Sequence, residues 1–587
     1  MLKTLFSHRW FHPVLLLVWI AIAAGLRFTN LEGKPPWTDE FATLVFSLGN
    51  SFKAVPLDQV ISLETLLAPL RPNPNAAASD VIQHLITEDH HPPLYFVLVH
   101  WWMQLFPARD GYVSLWAARS LAALFGVLSI PAAYGLAFVA FRSQFVAQLA
   151  AALIAVSPYG IFLTQEARHY GLAIIWVIAS LSCLVVAVQH LNRQKHLPIW
   201  IALCWVGVNS LGMATHYFFS LTLLTQAIAL IGYAILKSNF ATGRKIQEWK
   251  WGKFPNLHAS WWRIAAVAAG TFVGSLVWIP VWQTSHNSQM TQWIMTNNRT
   301  ILTAINPIFQ SLAAWITMVC LLPVESPSIA VMLASGLVML VFFIFATPIV
   351  YRGVKFLLGP SETRLATGIL GGFVLGAIAL FFSITYFLGT DLTRGARYNF
   401  VYFPAVPVLL AAALTLGKKA SSSASGQWRS IIIIWIMGLL SGITVVNNLG
   451  YQKYYRPDMM LPVIQQASSA PVVIATTHNT LVQTGEMMGL AWEFKRTTGL
   501  EKSPPQFLLA HQTADRCEGT NCPASITLQR TIAQLPRPLD LWLVNFKAPV
   551  QPEPPNCFAE DTSQYQTSVN GYSARLYHCL AADAQAS

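Results

Sequence analysis

Apolar runs long enough to cross a membrane as helices recur between residues 13 and 449 of this chain. In the hydrocarbon core only helices and closed barrels satisfy their backbone hydrogen bonds, and runs of this length exclude barrel strands. Of the 587 residues, 54% are hydrophobic and 11% are charged, whereas about a quarter are charged in ordinary soluble proteins. The sequence therefore predicts an all-α polytopic membrane domain.

Eleven of the apolar runs are predicted to span the membrane. They lie near residues 13–28, 114–141, 144–164, 170–189, 197–215, 217–236, 264–282, 329–350, 365–388, 400–416 and 431–449. Two shorter runs, residues 92–106 and 308–322, are predicted to form interfacial helices, because neither is long enough for an ordinary span. Counting both as spans gives thirteen, which stays the alternative.

The distribution of basic residues favours eleven spans and sets the orientation of the chain. With eleven spans, the segments on the N-terminal side of the membrane hold seventeen Lys and Arg and two acidic residues. Residues 29–112 hold nine acidic and four basic residues. We therefore expect a multi-pass plasma-membrane protein with a cytoplasmic N-terminus and an extracytoplasmic C-terminus. Basic loops near anionic lipids explain the net charge of +12, so membrane lipids are expected partners and nucleic acid is not.

Residues 450–587 are more polar than the rest of the chain and are predicted to form a small α/β domain outside the membrane. Short strand-like runs occur at residues 471–477, 539–546 and 574–580. The predicted division is a transmembrane domain of residues 1–449, which includes the outer segment 29–112, followed by the domain of residues 450–587.

Four of the seven cysteines lie in this polar tail, at Cys517, Cys522, Cys557 and Cys579. An even number in a short region suggests disulfides in an oxidising compartment, with three alternative pairings. We favour Cys517–Cys522 with Cys557–Cys579. A zinc site is the competing interpretation, although the C-x4-C spacing matches no common zinc motif well. The other three cysteines lie in apolar runs and are expected to be packing residues.

Polar clusters that are costly beside a membrane all fall on the predicted outer side. They are Asp39-Glu40, residues 88–91, residues 164–170, His216-Tyr217 and residues 389–398. Each has a structural alternative, such as a helix cap, a headgroup anchor or, for residues 88–91, a solvated loop or a metal site. Their occurrence on one side favours a single functional site that Asp39 shares with Arg168 and Arg397.

A carboxylate pair and two arginines facing outward suit the transfer of a group from a phosphate-bearing lipid. Arginine binds phosphate oxygens with a fork of donors and stays charged. A carboxylate can take the proton of an incoming hydroxyl or amine, and we assign this role of general base to Asp39. The sequence has no Gly-rich nucleotide loop and no strong metal motif, so no metal ligand is assigned. No cofactor is predicted with certainty, and a divalent metal stays open.

Several motifs of the chain occur together in one known group of enzymes. They are Asp39-Glu40 after the first span, His91-Pro92-Pro93-Leu94 opening a helix, S-P-x6-Q-E-A-R-x-Y from Ser157 to Tyr170, Thr215-His216-Tyr217-Phe218, and Arg397-Tyr398. Over residues 10–415 the chain resembles the polyprenyl-phosphate-dependent integral-membrane glycosyltransferases of the GT-C fold. This group contains the protein O-mannosyltransferases and the aminoarabinose transferase of lipid A.

The resemblance implies transfer of a hexose or pentose from a polyprenyl-phosphate donor, with inversion at the anomeric carbon, to a lipid, glycan or protein acceptor of the cell envelope. It implies Asp39 as the catalytic base with Glu40 close by, and Arg168 and Arg397 as contacts to the donor phosphate. Residues expected to line the cavity are His91, Glu166, Tyr170, His216, Tyr217, Arg394 and Tyr398.

Two other functions stay open at this point. A flippase or transporter of lipid-linked sugars would need access from both membrane faces, which often shows as repeated halves with broken helices. No matching halves stand out in the sequence. A polysaccharide polymerase or ligase would act on the same side of the membrane but would use a polyprenyl-diphosphate donor.

Overall fold

The structure is a computed structural model of the chain. It describes residues 10–242, 259–279, 281, 293–295, 301–416, 424–497, 504–513, 522–550, 556–560 and 568–580. Cys517, which the sequence assigns to a disulfide, lies outside the described residues.

Helices account for most of the described chain, as predicted. The α-helices are α1 Phe11–Phe28, α2 Thr38–Ser47, α3 Leu63–Leu66, α4 Ala78–His84, α5 Leu94–Met103, α6 Leu115–Phe141, α7 Gln144–Val156, α8 Pro158–Thr164, α9 Tyr170–Asn192, α10 Ile199–Thr215, α11 Phe219–Thr242, α12 Ala259–Leu276, α13 Ile301–Val319, α14 Ile329–Leu357, α15 Ser361–Phe387, α16 Ala405–Leu416, α17 Ala424–Val446, α18 Pro457–Ala467, α19 Leu481–Thr497 and α20 Pro523–Ala533. The strands are β1 Val60–Ser62, β2 Val472–His478, β3 Gln506–His511, β4 Leu539–Val544, β5 Cys557–Ala559, β6 Ser568–Val569 and β7 Tyr572–Cys579.

Two compact units make up the chain. The first comprises Met1–Leu31, Asp89–Tyr95 and Arg119–Tyr451, and the second comprises Glu32–Glu88, Phe96–Ala118 and Gln452–Ser587. This grouping differs from the predicted division into residues 1–449 and 450–587. The physical reason is that much of the first outer segment packs with the C-terminal region, since β1 joins its sheet and α2 packs against α19.

Seven helices of the described chain are long and apolar enough to cross a membrane, and each coincides with one of the eleven predicted spans. An eighth would be the bent pair of α7 and α8, which corresponds to the predicted span 144–164. Three predicted spans lie on helices that do not meet this criterion, namely α10, α12 and α16. Helix α16 is short because the start of its apolar run forms the 3-10 turn Ala396–Val401 instead. The two runs predicted to be interfacial form α5 and α13, and neither is among the candidate spans.

The break between α7 and α8 has a local cause. Pro158 has no backbone N–H to donate to the carbonyl of Ile154, so the regular hydrogen-bond ladder cannot continue. The side chain of Ser157 accepts from the backbone N–H of Gly160 at 3.2 Å and starts the new helix, which is bent by 57° from the first. The fully buried Arg27 of α1 donates to the carbonyls of Ile154 and Ala155 at 3.1 and 2.9 Å. A side chain from another helix thus supplies the donors that the break removes.

The sheet of the second unit has the strand order β1-β3-β2-β4-β7-β5. Strands β3, β2 and β4 are parallel, and α19 and α20 connect them along the chain. Strand β1 pairs with β3 in antiparallel orientation, from Val60 opposite Leu508 to Ser62 opposite Gln506. The predicted runs 471–477, 539–546 and 574–580 coincide with β2, β4 and β7, which confirms an α/β arrangement in the C-terminal region.

The disulfide between Cys557 and Cys579 joins β5 to β7, and this is one of the two pairs that the sequence favoured. Cys522 is also disulfide-bonded. The cysteines of the apolar runs, Cys183, Cys204 and Cys320, are free thiols of the first unit.

Candidate active site

Asp89, His91 and Arg168 form a chain of hydrogen bonds in the first unit. Arg168 Nη2 lies 3.3 Å from His91 Nε2, and His91 Nδ1 lies 2.7 Å from Asp89 Oδ2. Because a guanidinium only donates, Nε2 of His91 accepts, and its Nδ1 carries the hydrogen that is donated to the carboxylate. The neutral imidazole therefore connects a guanidinium to a carboxylate, and both charged side chains are almost completely buried.

Local backbone geometry brings Asp89 and His91 together. A π-helical turn, Leu85–Asp89, is followed by His90 in the left-handed region at a φ of 66°. Pro92 and Pro93 then follow, and α5 begins at Leu94. Two features of this segment are uncommon in proteins and occur often at functional sites: a π-helical turn, and a residue other than glycine in the left-handed backbone region. Burial opposes the ionisation of Asp89, but the hydrogen bond from His91 and the charge of Arg168 hold its pKa below the ordinary value.

The turn between α8 and α9 carries Arg168 and is buried throughout. Glu166, Arg168 and His169 are each 2% exposed or less. The amide of Gln165 donates to the carbonyls of Leu26 and Thr29 at 3.2 and 3.1 Å, which fixes this turn to the end of α1. Charged groups buried at the end of apolar helices are costly, so this turn is a functional candidate by the same criterion that the sequence suggested.

Three histidine rings lie in a row beside Arg168. The centroid of the His169 ring is 4.4 Å from that of His216 and 5.7 Å from that of His91. Tyr170 contacts both His169 and His216, with centroids 4.7 and 5.7 Å away. The backbone N–H of Phe218 donates to Nδ1 of His216 at 3.0 Å, so Nε2 carries the hydrogen when this ring is neutral.

Burial is the largest cause that lowers the pKa of His169 and of His216 well below the ordinary histidine value. The positive charges of Arg168 and Arg397 add to this effect at both rings. The two histidines are therefore neutral at physiological pH, while the two arginines carry the positive charge of the cluster.

Arg397 is held by aromatic rings and by its own backbone. Its guanidinium lies over the rings of Trp293 and Tyr398, at 5.2 and 5.5 Å from their centroids. The hydroxyl of Tyr159 lies 3.0 Å from the backbone carbonyl of Ala396 and from that of Arg397. Tyr398 also contacts Phe218, with ring centroids 4.6 Å apart, which connects this segment to the turn that carries His216.

Arg394 differs from Arg397, although the sequence grouped them. It is exposed and lies 3.3 Å from Asp391 in an ion pair, and it donates to the carbonyl of Trp293. Asp391 in turn accepts from the backbone N–H of Thr393 at 3.0 Å. These contacts give Arg394 a structural role in holding residues 293–295 against the segment that precedes Arg397.

Asp39 and Glu40 belong to the second unit and lie in the first turn of α2. Glu40 is fully buried, whereas Asp39 is partly exposed. The first turn of a helix favours a negative charge, because its free N–H groups point toward the side chain. The hypothesis that Asp39 shares a pocket with Arg168 and Arg397 stays a prediction, since both arginines belong to the first unit.

Of the predicted site residues, the first unit brings together His91, Arg168, Tyr170, His216, Arg397 and Tyr398 through ring contacts and hydrogen bonds. The sequence analysis included Asp89 and His169 in the polar clusters 88–91 and 164–170 without giving either a role, and it did not single out Trp293 or Tyr159. His169 follows Arg168 directly in the motif from Ser157 to Tyr170, so its place in the sequence could have identified it as a candidate site residue. Among the described residues, no group of three or more His, Cys, Asp or Glu side chains could hold a metal ion.

Fold and site together define a polytopic, largely helical membrane protein with a cluster of arginines, histidines and tyrosines between its helices. No protein-family model matches the sequence, and no curated protein matches it. Among solved structures it is similar to ArnT from Cupriavidus metallidurans bound to undecaprenyl phosphate, with 11% identity and a TM-score of 0.48 over 96% of this chain and 98% of that chain. The apo structure of the same ArnT gives 11% identity and a TM-score of 0.49 over 96% and 97%.

The oligosaccharyltransferase AglB from Archaeoglobus fulgidus, in complex with an inhibitory peptide and a dolichol-phosphate, is also similar. It has 12% identity and a TM-score of 0.41 over 82% of this chain and 64% of that chain. At identities of 11–12% these likenesses concern the fold alone.

Proposed function

We propose that the protein is a membrane glycosyltransferase that moves a sugar from a polyprenyl-phosphate donor to an extracytoplasmic acceptor. The observation that carries the proposal is the buried chain Asp89–His91–Arg168 beside Arg397. The chain holds the guanidinium of Arg168 at the end of an apolar helix, where an uncompensated charge would be expensive, and aromatic rings hold that of Arg397. A cationic cluster in this setting fits an anion that is itself attached to a lipid.

The arginines suit phosphate in particular. A guanidinium donates two parallel hydrogen bonds to two oxygens of one phosphate and keeps its charge at any physiological pH. Arg168 is held by His91, and Arg397 is held by two aromatic rings, so neither side chain loses much freedom when it binds. Preorganised donors of this kind stabilise negative charge that develops on a leaving phosphate.

In the proposed reaction an acceptor hydroxyl or amine attacks the anomeric carbon of the sugar. The new bond forms on the face opposite the phosphate, and the bond between the anomeric carbon and the phosphate oxygen breaks, which inverts the configuration. The electron pair of that bond goes to the polyprenyl phosphate, whose charge the arginines stabilise. Asp39 takes the proton of the acceptor as general base.

Phosphate binding can be tested without knowing the sugar. Purified protein in lipid nanodiscs is titrated with undecaprenyl phosphate, the expected leaving group. Arg168→Gln and Arg397→Gln should each weaken binding about tenfold or more, because hydrogen bonds to charged groups contribute about 1.5–3 kcal/mol. Arg352→Gln, at an exposed arginine of α14, serves as the matched control and should leave binding unchanged. Equal affinities for all four proteins would remove the arginines from the site.

The role of Asp39 is tested separately by transfer. Asp39→Asn should reduce transfer from undecaprenyl-phosphate-linked sugars to envelope acceptors by about 10²–10⁴-fold while binding of undecaprenyl phosphate stays the same. Glu64→Gln, at an exposed carboxylate of the same unit, is the control and should transfer like the wild type. Products are identified by mass spectrometry of envelope lipids, glycans and proteins. Wild-type turnover by Asp39→Asn would exclude Asp39 as the base.

The same assays separate the other two functions. Movement of a labelled lipid-linked sugar across liposomes without sugar transfer would identify a flippase. Transfer from polyprenyl-diphosphate donors alone would identify a polymerase or ligase. Either result would contradict the proposed function.

A further inference from the structure

The three histidines of the candidate site differ in how their ring nitrogens are used. Both nitrogens of His91 are engaged, by Asp89 and Arg168, and Nδ1 of His216 accepts a backbone N–H. His169 is 1% exposed, and neither of its ring nitrogens has a hydrogen-bond partner among the residues that the structure describes. A buried polar group without a partner is disfavoured, so an imidazole with two such atoms points to a ligand.

Aromatic rings fix the orientation of His169. The rings of His216, Tyr170 and Tyr95 have centroids 4.4, 4.7 and 6.1 Å from its own, and the Tyr95 ring meets it edge-on. These contacts hold the plane of the imidazole but leave its nitrogens unused. The side chain is therefore positioned by its carbon atoms and presents its polar atoms in a fixed direction.

The charge state of His169 determines which groups it can bind. Burial, followed by the positive charges of Arg168 and Arg397, lowers its pKa well below the ordinary value. A neutral imidazole offers one N–H donor and one lone pair. A hydroxyl group both donates and accepts, whereas the free oxygens of a phosphodiester only accept, and in this cluster the arginines already provide donors for them.

We propose that His169 is a specificity-determining residue that hydrogen-bonds a hydroxyl group of the sugar carried by the lipid donor. This inference rests on the proposed function and adds the group of the substrate that the site recognises. A site built to bind a substrate hydroxyl rejects an analogue that lacks it, because the buried polar atom of the protein is then left unpaired.

The test compares three properties of His169→Phe with those of the wild type. Phenylalanine keeps the ring contacts and removes only the two nitrogens. We expect an unfolding temperature equal to or higher than that of the wild type, because an unpaired buried polar group is lost. We expect binding of undecaprenyl phosphate to stay within twofold, and kcat/KM for transfer from the undecaprenyl-phosphate-linked sugar to fall about 10–100-fold.

Deoxy analogues of the donor give a direct readout of specificity. The wild type should discriminate on the order of 10²-fold against one analogue that lacks a single hydroxyl, and His169→Phe should lose that discrimination. His169→Asn, which keeps a donor and an acceptor in a smaller side chain, should recover part of the rate, and it serves if the phenylalanine variant does not fold.

His100→Phe is the matched control for a structural histidine. His100 is 4% exposed, and its ring nitrogens lie 2.8 Å from the carbonyl of Ser47 and 3.0 Å from the amide of Gln104. This variant should lower the unfolding temperature and keep the donor specificity. Wild-type transfer and specificity in His169→Phe would overturn the inference, and so would a loss of undecaprenyl phosphate binding. Absence of transfer by the wild type would instead overturn the proposed function.

Discussion

At the scale of single residues, the candidate site combines arginines, which are always charged, with histidines, whose charge depends on pH. Arg168 and Arg397 stay cationic, whereas His169 and His216 are held neutral by burial and by those same arginines. This arrangement limits the positive charge of the cluster to the two guanidinium groups. It also makes the folded protein sensitive to acid, because protonation of either ring is opposed in the folded state.

This sensitivity gives a prediction for stability against pH. The unfolded chain protonates its histidines near the ordinary pKa of about 6.5, whereas folded His169 takes up a proton only at a lower pH. Its contribution to stability is therefore complete above about pH 6.5. It is lost as the pH falls toward the pKa of the folded ring, at up to about 1.4 kcal/mol per pH unit.

Thermal unfolding of the purified protein between pH 7.5 and 5.5 measures this effect. The unfolding temperature should fall with pH in the wild type and fall less steeply in His169→Phe. His196→Phe, at an exposed histidine, should behave like the wild type. Parallel curves for the wild type and His169→Phe would exclude a neutral folded His169.

The sequence predicted part of this cluster. Arg168, Arg397 and His91 were identified because charged or ionisable residues beside apolar runs are costly and therefore informative. The link between Asp89 and His91 was not predicted, because it depends on a π-turn and a left-handed His90 that no residue pattern specifies. The ring contacts of His169 with His91 and His216 join segments far apart in the chain, and only the packing of helices brings them together.

At the scale of elements, Arg27 shows how a broken helix is maintained beside the site. It donates to the two carbonyls at the end of α7, including that of Ile154, which Pro158 leaves without its regular partner. Arg27→Met should destabilise the protein by about 2–5 kcal/mol, because unsatisfied carbonyls are costly in an apolar setting. The unfolding temperature of Arg27→Met, measured in detergent and compared with that of the wild type, tests this loss of stability.

A second substitution makes the test specific. Pro158→Ala restores an N–H that can donate to Ile154, so it should recover part of the stability lost in Arg27→Met. Leu26→Met, at the neighbouring position, serves as the control for altered packing and should have a small effect. Full stability of Arg27→Met, or no recovery in the double variant, would contradict this role of Arg27.

Long apolar runs and strand-like runs predicted which helices and strands occur, but they did not predict the residues at which these elements end. The periodic and apolar segments predicted all seven candidate spans and three strands of the sheet. The helix break at Pro158 and the short length of α16 were not predicted, because an apolar run does not show where the backbone hydrogen bonds of a helix stop. Strand β1 has only three residues and pairs with a strand near the other end of the chain, so no local pattern could identify it.

At the scale of the whole molecule, the predicted orientation can be tested by reporter fusions. Basic loops predict a cytoplasmic N-terminus and a C-terminal region outside the membrane. Alkaline phosphatase fused at the C-terminus should be active, and green fluorescent protein fused at the same end should not fluoresce. The N-terminal fusions should behave in the opposite way, and fusions at Arg352 serve as a further cytoplasmic reference. A fluorescent C-terminal fusion together with an inactive C-terminal phosphatase would show that the C-terminus is cytoplasmic, which would contradict the predicted orientation.

The pairing of β1 with β3 has a consequence for biosynthesis. Val60 emerges from the ribosome long before its partner Leu508. Contacts between such distant segments form slowly, because a very long loop has to close first. The sheet is therefore completed only after the intervening helices have been synthesised. A chain that terminates before Leu508 lacks the partner of β1, and the unpaired N–H and C=O groups of that strand are then open to pairing with other chains.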